Sequence, residues 1–461
     1  MGFVFFDLRT TGTDSAFDQL VQFAAIHTDA NLNVLDRFEH RCRLLPHIVP
    51  SPSQLVLNGT PIGHLVDPAL PSHYDMTREI ATQLTAWSPA IFVGWGSLED
   101  GEHFLRQALY QNLHYPYLTT TPGNGRCDLK KLAQALTALQ PNALATPIDA
   151  NGEYTFELGS FAHANNVSNN GSGDAAGSAE TILRLCRLIL DRSPDHWSTT
   201  IRFAQKASAV SFVESASAFI ATECYFGRPY QYALTKIGVD KQGAVLTYNL
   251  EVNPAELQPL TAPQLRARLD QRIKPVRRIR TNAAPILHEV DDYESFLGLS
   301  AEKWLARGAQ IQADTELCTR LCEAAARPPS KSEHVEKQIY ETFSGDADKA
   351  RMKTFHASTW ADRATMIEAF DDPRLVELGY RVLFYNAPEY LSPERCSEIE
   401  RQLAERALGH GLPIAPWITL WKAETDANAL LPICSTHEVS LLTELRLHLT
   451  SERERCLARL Q

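Results

Sequence analysis

The stretch Phe3-Val4-Phe5-Phe6-Asp7-Leu8-Arg9-Thr10-Thr11-Gly12-Thr13 decides how the rest of the chain is read. A short apolar run that ends in an acid, Phe3 to Asp7, is the pattern of a buried strand. Leu20 to Thr28 reads as its antiparallel neighbour, and Leu32 to Arg43 alternates as a third strand would. Ala90 to Gly94 is a further buried strand, followed by a helix over Gly101 to Asn112. Helices are also predicted at Lys130 to Leu139, Phe156 to Asn165 and Asp174 to Leu190. The last of these carries Ile182, Leu185, Cys186 and Ile189 on one face.

A meander followed by alternating helix and strand is the order of an RNase H-like α/β domain. The texture changes near Ser193-Pro194, and strands are predicted at Ala218 to Tyr225, Gln231 to Val239 and Ala244 to Glu251. This β-rich region is expected to run to about residue 330. Ala325 to Ser332 reads as a linker, and Asn165 to Gly177, rich in Asn, Gly and Ser, as a loop. The remainder is predicted to be helical, with amphipathic stretches at Ser392 to Leu408 and Val439 to Leu460. The expected domains are residues 1–193, 194–330 and 331–461.

Composition narrows the function classes. With 44 basic against 55 acidic residues the net charge is -11, so the chain is no general nucleic-acid sponge. Any DNA contact needs a local basic groove. The nine cysteines include no Cys-x-x-Cys pair. Cys318 and Cys322, four apart, read as packing residues rather than metal ligands, and the pattern suits a reducing cytoplasm. No apolar run approaches membrane-span length, and the start lacks the basic flank of a signal peptide.

Asp7-Leu8-Arg9-Thr10-Thr11-Gly12 stands where exonucleases of the DEDD class read Asp-x-Glu-Thr. Residues two apart on a strand share a face, so an Asp and a Glu there would grip metal together. The likeness extends along the chain. Gln22-Phe23-Ala24-Ala25-Ile26-His27-Thr28-Asp29 resembles bacterial exonuclease I, as do Tyr110-Gln111-Asn112-Leu113-His114-Tyr115-Pro116-Tyr117, Asn124-Gly125-Arg126-Cys127-Asp128-Leu129 and Ala164-Asn165-Asn166-Val167. Gln338-Ile339-Tyr340-Glu341-Thr342-Phe343-Ser344-Gly345-Asp346-Ala347-Asp348 resembles that family's C-terminal signature. The resemblance implies an RNase H-like exonuclease domain, an SH3-like β domain and a helical C-terminal domain, forming a C shape around single-stranded DNA. It implies 3′→5′ hydrolysis of that DNA by two metal ions held on four carboxylates, with a histidine as general base.

The catalytic positions depart from the family. Asp7 is kept, but the Glu position is Arg9. Ungapped matching from Gly94 to Tyr117 places the third carboxylate at Gly101. The family's His-Asp-x-x-x-Asp reads Gly173-Asp174-Ala175-Ala176-Gly177-Ser178, so the base is Gly173 and the last ligand Ser178. Asp100, Glu102 and Asp174 are the neighbours that would have to substitute, while Glu180 falls on the wrong face. Arg9 stays protonated at any working pH and is expected to pair with Asp7 or with a DNA phosphate. The chain is therefore expected to be a catalytically inactive exonuclease I-like protein with no cofactor. Mg²⁺ or Mn²⁺, with Asp7 as a ligand, enters only in the alternative of an active or weakly active enzyme.

The expected ligands are single-stranded DNA and/or replication-repair partners such as single-strand DNA-binding protein, and the protein is expected to be cytoplasmic and monomeric unless it is part of a larger complex. The candidate grips are Arg9, Arg126, Arg228, Lys236, Lys274, Arg277, Arg278 and Arg280, with Tyr225, Phe226, Tyr230 and Tyr232 as stacking or core aromatics. The family also docks the acidic tail of single-strand DNA-binding protein, using a basic residue in an Ala-Leu-Arg-Pro stretch. Here that stretch reads Ala138-Leu139-Gln140-Pro141, which weakens the expected contact.

Overall fold

Nine residues at the start of the chain form the spine of the first layer. The computed structural model describes residues 1–168, 174–241, 243–326 and 331–461. Strand β1 (Gly2–Thr10) pairs antiparallel with β2 (Leu20–Thr28), and β2 pairs with β3 (Val34–Arg41). On its other side β1 runs parallel to β4 (Ala90–Gly94), which runs parallel to β5 (Gly125–Asp128). The sheet order is β3-β2-β1-β4-β5, the predicted meander continued by parallel crossovers.

Alternation along β1 assigns its two faces. Phe3 and Phe5 enter a core with Ile182, Leu185 and Ile189 of the helix Ala175–Arg192. Val4 and Phe6 enter the opposite core with Met76, Ile80 and Leu84 of the helix His73–Ala86 and Leu105 and Leu109 of the helix Gly101–Gln111. Each of these side chains contributes about 2 kcal/mol by burial, which fixes the register and hence the direction in which Asp7 and Arg9 point.

The second sheet has the order β10-β6-β7-β8-β9 and is antiparallel throughout, from β6 (Phe219–Tyr225), β7 (Arg228–Val239), β8 (Val245–Asn249), β9 (Val276–Ile279) and β10 (Ile286–Glu289). The strands end sooner than expected. Beyond Glu289 the helices Ala301–Ala313 and Thr315–Ala325 pack on the sheet through Trp304, Ile311, Leu317 and Leu321. Trp304, Gly308 and Ile311 are buried at a four- and three-residue spacing, a helical signal within a stretch read as β-rich. Cys318 sits in the same core, with its Sγ against Ile311 O, as a packing residue.

The C-terminal residues are helical, including Pro393–Leu408 and Thr436–Leu460. They seat on the first layer at two places. Leu441, Leu445 and Leu449 share a core with Val21, Leu44 and Val49, and Phe355, Leu378 and Val382 share one with Tyr74, Tyr110 and Leu113. The loop expected over Asn165 to Gly177 and the linker over Ala325 to Ser332 fall partly outside the described residues, and Gly173 falls wholly outside them.

Candidate nucleic-acid interface and the altered metal position

Asp7 and Arg9 lie on the face of β1 that looks toward the helix Ala175–Arg192, whose N-cap is Asp174. The Arg9 guanidinium closes the space between strand and helix. Its Nη1 donates to Asp7 Oδ2 at 2.5 Å and to Leu8 O at 3.1 Å. Its Nη2 donates to the Asp174 carbonyl at 2.9 Å and to Ser178 Oγ at 2.9 Å. Burial pushes the Asp7 carboxyl above its ordinary range, against the charge and hydrogen bond of Arg9 and a hydrogen bond from Ser178. The pairing of Arg9 with Asp7 is formed, and Ser178, at the family's last ligand position, serves as its third corner.

This arrangement does not fit a pair of divalent cations. The space beside Asp7 holds a permanent cation, and among the described residues no three His, Cys, Asp or Glu side chains converge as metal ligands. Of the neighbouring acids, Asp174 and Glu180 are committed elsewhere. Asp174 Oδ1 caps its helix by accepting from Gly177 N at 2.7 Å, and its Oδ2 faces Arg41 at 3.9 Å. Asp100 is exposed at the start of the helix Gly101–Gln111. Gly101 lies over Leu8, on the other face of β1, where an added Cβ would meet the Leu8 side chain at 3.6 Å. Glu180 pairs with Arg37 at 2.7 Å and Arg184 at 3.1 Å. Arg9 itself needs correcting as a DNA grip, because its four Nη hydrogens are spent on internal acceptors.

Glu102 is 4% exposed and accepts from Arg126, Arg106 and Thr119. This corrects a second expectation. Arg126 is 5% exposed and its guanidinium answers the Glu102 carboxylate, so it ties β5 to the helix Gly101–Gln111 instead of gripping a phosphate. Nearby, buried Asp128 accepts from Gly96 N at 2.9 Å and Leu98 N at 3.2 Å, fixing the turn after β4.

The remaining cations separate into two groups. Lys274, Arg277, Arg278 and Arg280 line one cleft of about 670 Å³ between the first layer and the second sheet. Arg277 pairs with Glu223 at 2.6 Å and lies over the Tyr232 ring at 3.3 Å, while Arg278 pairs with Asp240 at 3.0 Å. Lys274 and Arg280 are exposed and make no ion pair with described residues. Lys131 and Arg266 complete the basic wall, opposed by Glu99, Glu223 and Asp270. The sequence reading missed Lys131, which lies on the helix Leu129–Leu139 far along the chain from the basic run, and Arg266, which lies on the helix Ala262–Leu269 just before it. Arg228 and Lys236 do not line the cleft and pair with Glu153 and Glu214. Tyr225 lines its edge, and Phe226, 98% exposed, and Tyr230 follow at the β6–β7 turn. Gln140, at the position of the weakened tail contact, donates to Arg192 O at 3.2 Å.

The chain thus joins a mixed α/β layer, with Asp7 near the end of its first strand, to a small antiparallel sheet and a helical region, and this is the architecture of the solved exonuclease I structures. Residues 333–416 match the family model of the exonuclease I C-terminal domain. Across 433 residues the chain is 24% identical to exodeoxyribonuclease I of Escherichia coli K12, covering 87% of this chain and 89% of that protein. It is 22% identical over 400 residues to the Haemophilus influenzae enzyme, covering 82% and 84%. Its fold matches that of a moderately thermophilic exonuclease I from Methylocaldum szegediense with a TM-score of 0.85, at 22% identity over 98% of this chain and 99% of that one. It matches E. coli exonuclease I in complex with a dA16 oligonucleotide with a TM-score of 0.83, at 20% identity over the same shares. The chain is an exonuclease I-like protein. No helix among the described residues is long and apolar enough to cross a membrane.

Proposed function

We propose that this protein holds single-stranded DNA without hydrolysing it. One observation carries the loss of hydrolysis: the Arg9 guanidinium, bonded to Asp7, Ser178 and the Asp174 carbonyl, fills the space beside the one acid kept from the family's set. A divalent ion brought there meets a fixed positive charge a few ångströms away, and the carboxylate that would receive it is already neutralised. Two-metal alignment of a water and stabilisation of the leaving oxygen would then rest on Asp7 alone, whose carboxylate Arg9 already engages.

Retention of the strand is supported by the cleft. Exposed Lys274, Arg266 and Arg280 offer phosphate contacts, and Tyr225, Phe226 and Tyr230 at its edge offer ring faces to bases. The oligonucleotide in the E. coli complex makes single-stranded DNA the ligand to test first.

Purified protein incubated with end-labelled single-stranded DNA and Mg²⁺ or Mn²⁺ is expected to leave the label intact while shifting the DNA on a gel. With about three phosphate contacts, log affinity should fall with log salt at a slope near -2, and Lys274→Ala or Arg280→Ala should each reduce that slope by ~0.7. Release of nucleotides that stops on Asp7→Ala would establish the alternative, a working exonuclease.

A further inference from the structure

Four aromatic rings gather where the first layer meets the C-terminal residues. Tyr115 and Tyr117 stand in the loop after the helix Gly101–Gln111, Tyr340 ends the short helical turn Val335–Tyr340, and Phe343 precedes the helix Asp346–Ala357. The Tyr117 ring is central, 5.7 Å from Tyr115, 6.4 Å from Tyr340 and 5.3 Å from Phe343. Phe343 is 78% exposed, and Tyr340 and Tyr115 are exposed as well. Burial in a core does not account for a phenyl ring left so open, and contiguous exposed apolar side chains mark an interaction surface.

The rings are held from behind. Tyr117 Oη donates to Ile339 O at 3.1 Å, and Tyr340 Oη bonds His103 Nδ1 at 2.7 Å. The Arg106 guanidinium lies 5.2 Å from the centre of the Tyr117 ring. Next to them, Tyr110 and Leu113 pack with Val335 and Ile339 in one core. With these two hydroxyls engaged inside the protein, what remains for a ligand is ring surface, and rings already fixed lose little freedom when a ligand arrives.

The row continues the basic cleft. Glu99 lines that cleft, and His103, the partner of Tyr340, follows four residues later. Burial and the charges of Arg106 and Arg280 hold the His103 imidazole below its ordinary range, against Glu102 and Asp100, so the exposed Arg280 of the cleft wall stands near the Tyr340 end of the row. At the Tyr115 end, Lys349 Nζ lies 5.9 Å from the ring centre. Cations at both ends of an aromatic row suit a ligand that alternates phosphates with flat rings. We propose, on the reading that the protein holds single-stranded DNA, that Tyr115, Tyr117, Tyr340 and Phe343 form a stacking platform for the unpaired bases of the strand where it leaves the cleft past Arg280.

Fluorescence anisotropy with the full chain tests this, using labelled oligo-dT and a labelled strand of the same length made of abasic sites. The abasic strand keeps the phosphates and has no base to stack. Phe343→Ala should weaken oligo-dT by about tenfold, leave the abasic strand as it was, and leave the salt slope of oligo-dT unaltered, because no phosphate contact is lost. Tyr340→Ala should act in the same way, and Phe343→Trp, which keeps a ring, should bind oligo-dT as the unaltered protein does. Melting curves establish that the variants are folded. Oligo-dT binding by folded Phe343→Ala equal to that of the unaltered protein overturns the platform and leaves retention of the strand in the cleft standing, and so does an equal loss on both strands. Failure of the unaltered protein to bind either strand removes the cleft reading and the platform together.

Discussion

Arg9 is best understood through what its removal would expose. Asp7 sits beneath it with its carboxyl already raised by desolvation, so deleting the guanidinium leaves a half-buried acid with only Ser178 and the Leu8 backbone to answer it. Breaking such a pair from one side costs more than removing both charges. Arg9→Gln is expected to destabilise the protein by ~1–3 kcal/mol at neutral pH, and adding Asp7→Asn should return a large part of that loss. Urea unfolding of the two single variants and the double variant measures the coupling; equal and additive losses would count against a coupled pair. Arg9→Glu should place a second carboxylate against Asp7 and give no Mg²⁺-dependent cleavage by itself, because Ser178 and Gly101 still supply no ligand.

At the scale of elements, Glu102 and Arg126 show how a residue's role depends on which face of a helix meets which strand. The helix Gly101–Gln111 was legible from its pattern, but the direction of Glu102 was not. A slip of one residue rotates a helical side chain by about 100°, and only packing against β5 turns Glu102 toward Arg126 and Arg106 instead of Asp7. The Asp7–Arg9 pair could be read from sequence because strand geometry alone places residues two apart on one face. Its partners across 165 and 169 residues, Asp174 O and Ser178, could not be read from periodicity. The basic run from Lys274 was legible as charge, yet two of its members, Arg277 and Arg278, turn out to be paired with Glu223 and Asp240. Because two arginines converge on Glu102, Glu102→Gln should cost about 3 kcal/mol, well above the roughly 0.5 kcal/mol of a surface change. The same urea measurement checks it; a loss under 1 kcal/mol would mean the cluster is solvent-screened.

Across the whole molecule, the C-terminal helices meet the first layer through stacked imidazoles. The His114 and His356 rings lie 3.5 Å apart and nearly parallel. His356 Nε2 donates to Leu113 O at 3.0 Å, and its Nδ1 accepts from Tyr74 at 2.9 Å. Both rings are held neutral by burial, His356 down at about 4, and Arg363 and Arg78 add to the depression of each. A histidine whose folded pKa lies below its unfolded value contributes stability that is present above the unfolded value near 6.5 and lost as pH falls toward 4. Asp18, raised to about 6 mainly by burial, works in the opposite sense, its contribution fading as pH rises through 6. The thermal midpoint of the unaltered protein should therefore fall more steeply between pH 6.5 and 4 than that of His356→Phe, whatever the variant's absolute stability. Parallel slopes in calorimetric scans would show that the stacked pair does not couple the two regions to acidity.

The clamp that Arg9 makes also bears on how such a chain changes over generations. An acid at position 9 would sever the four internal bonds of Arg9 and set like charges together beside Asp7. Under the proposed function, a single substitution at position 9 therefore carries a cost in stability that no gained metal ligand offsets, and the clamp makes the fold itself resist a return of the second carboxylate.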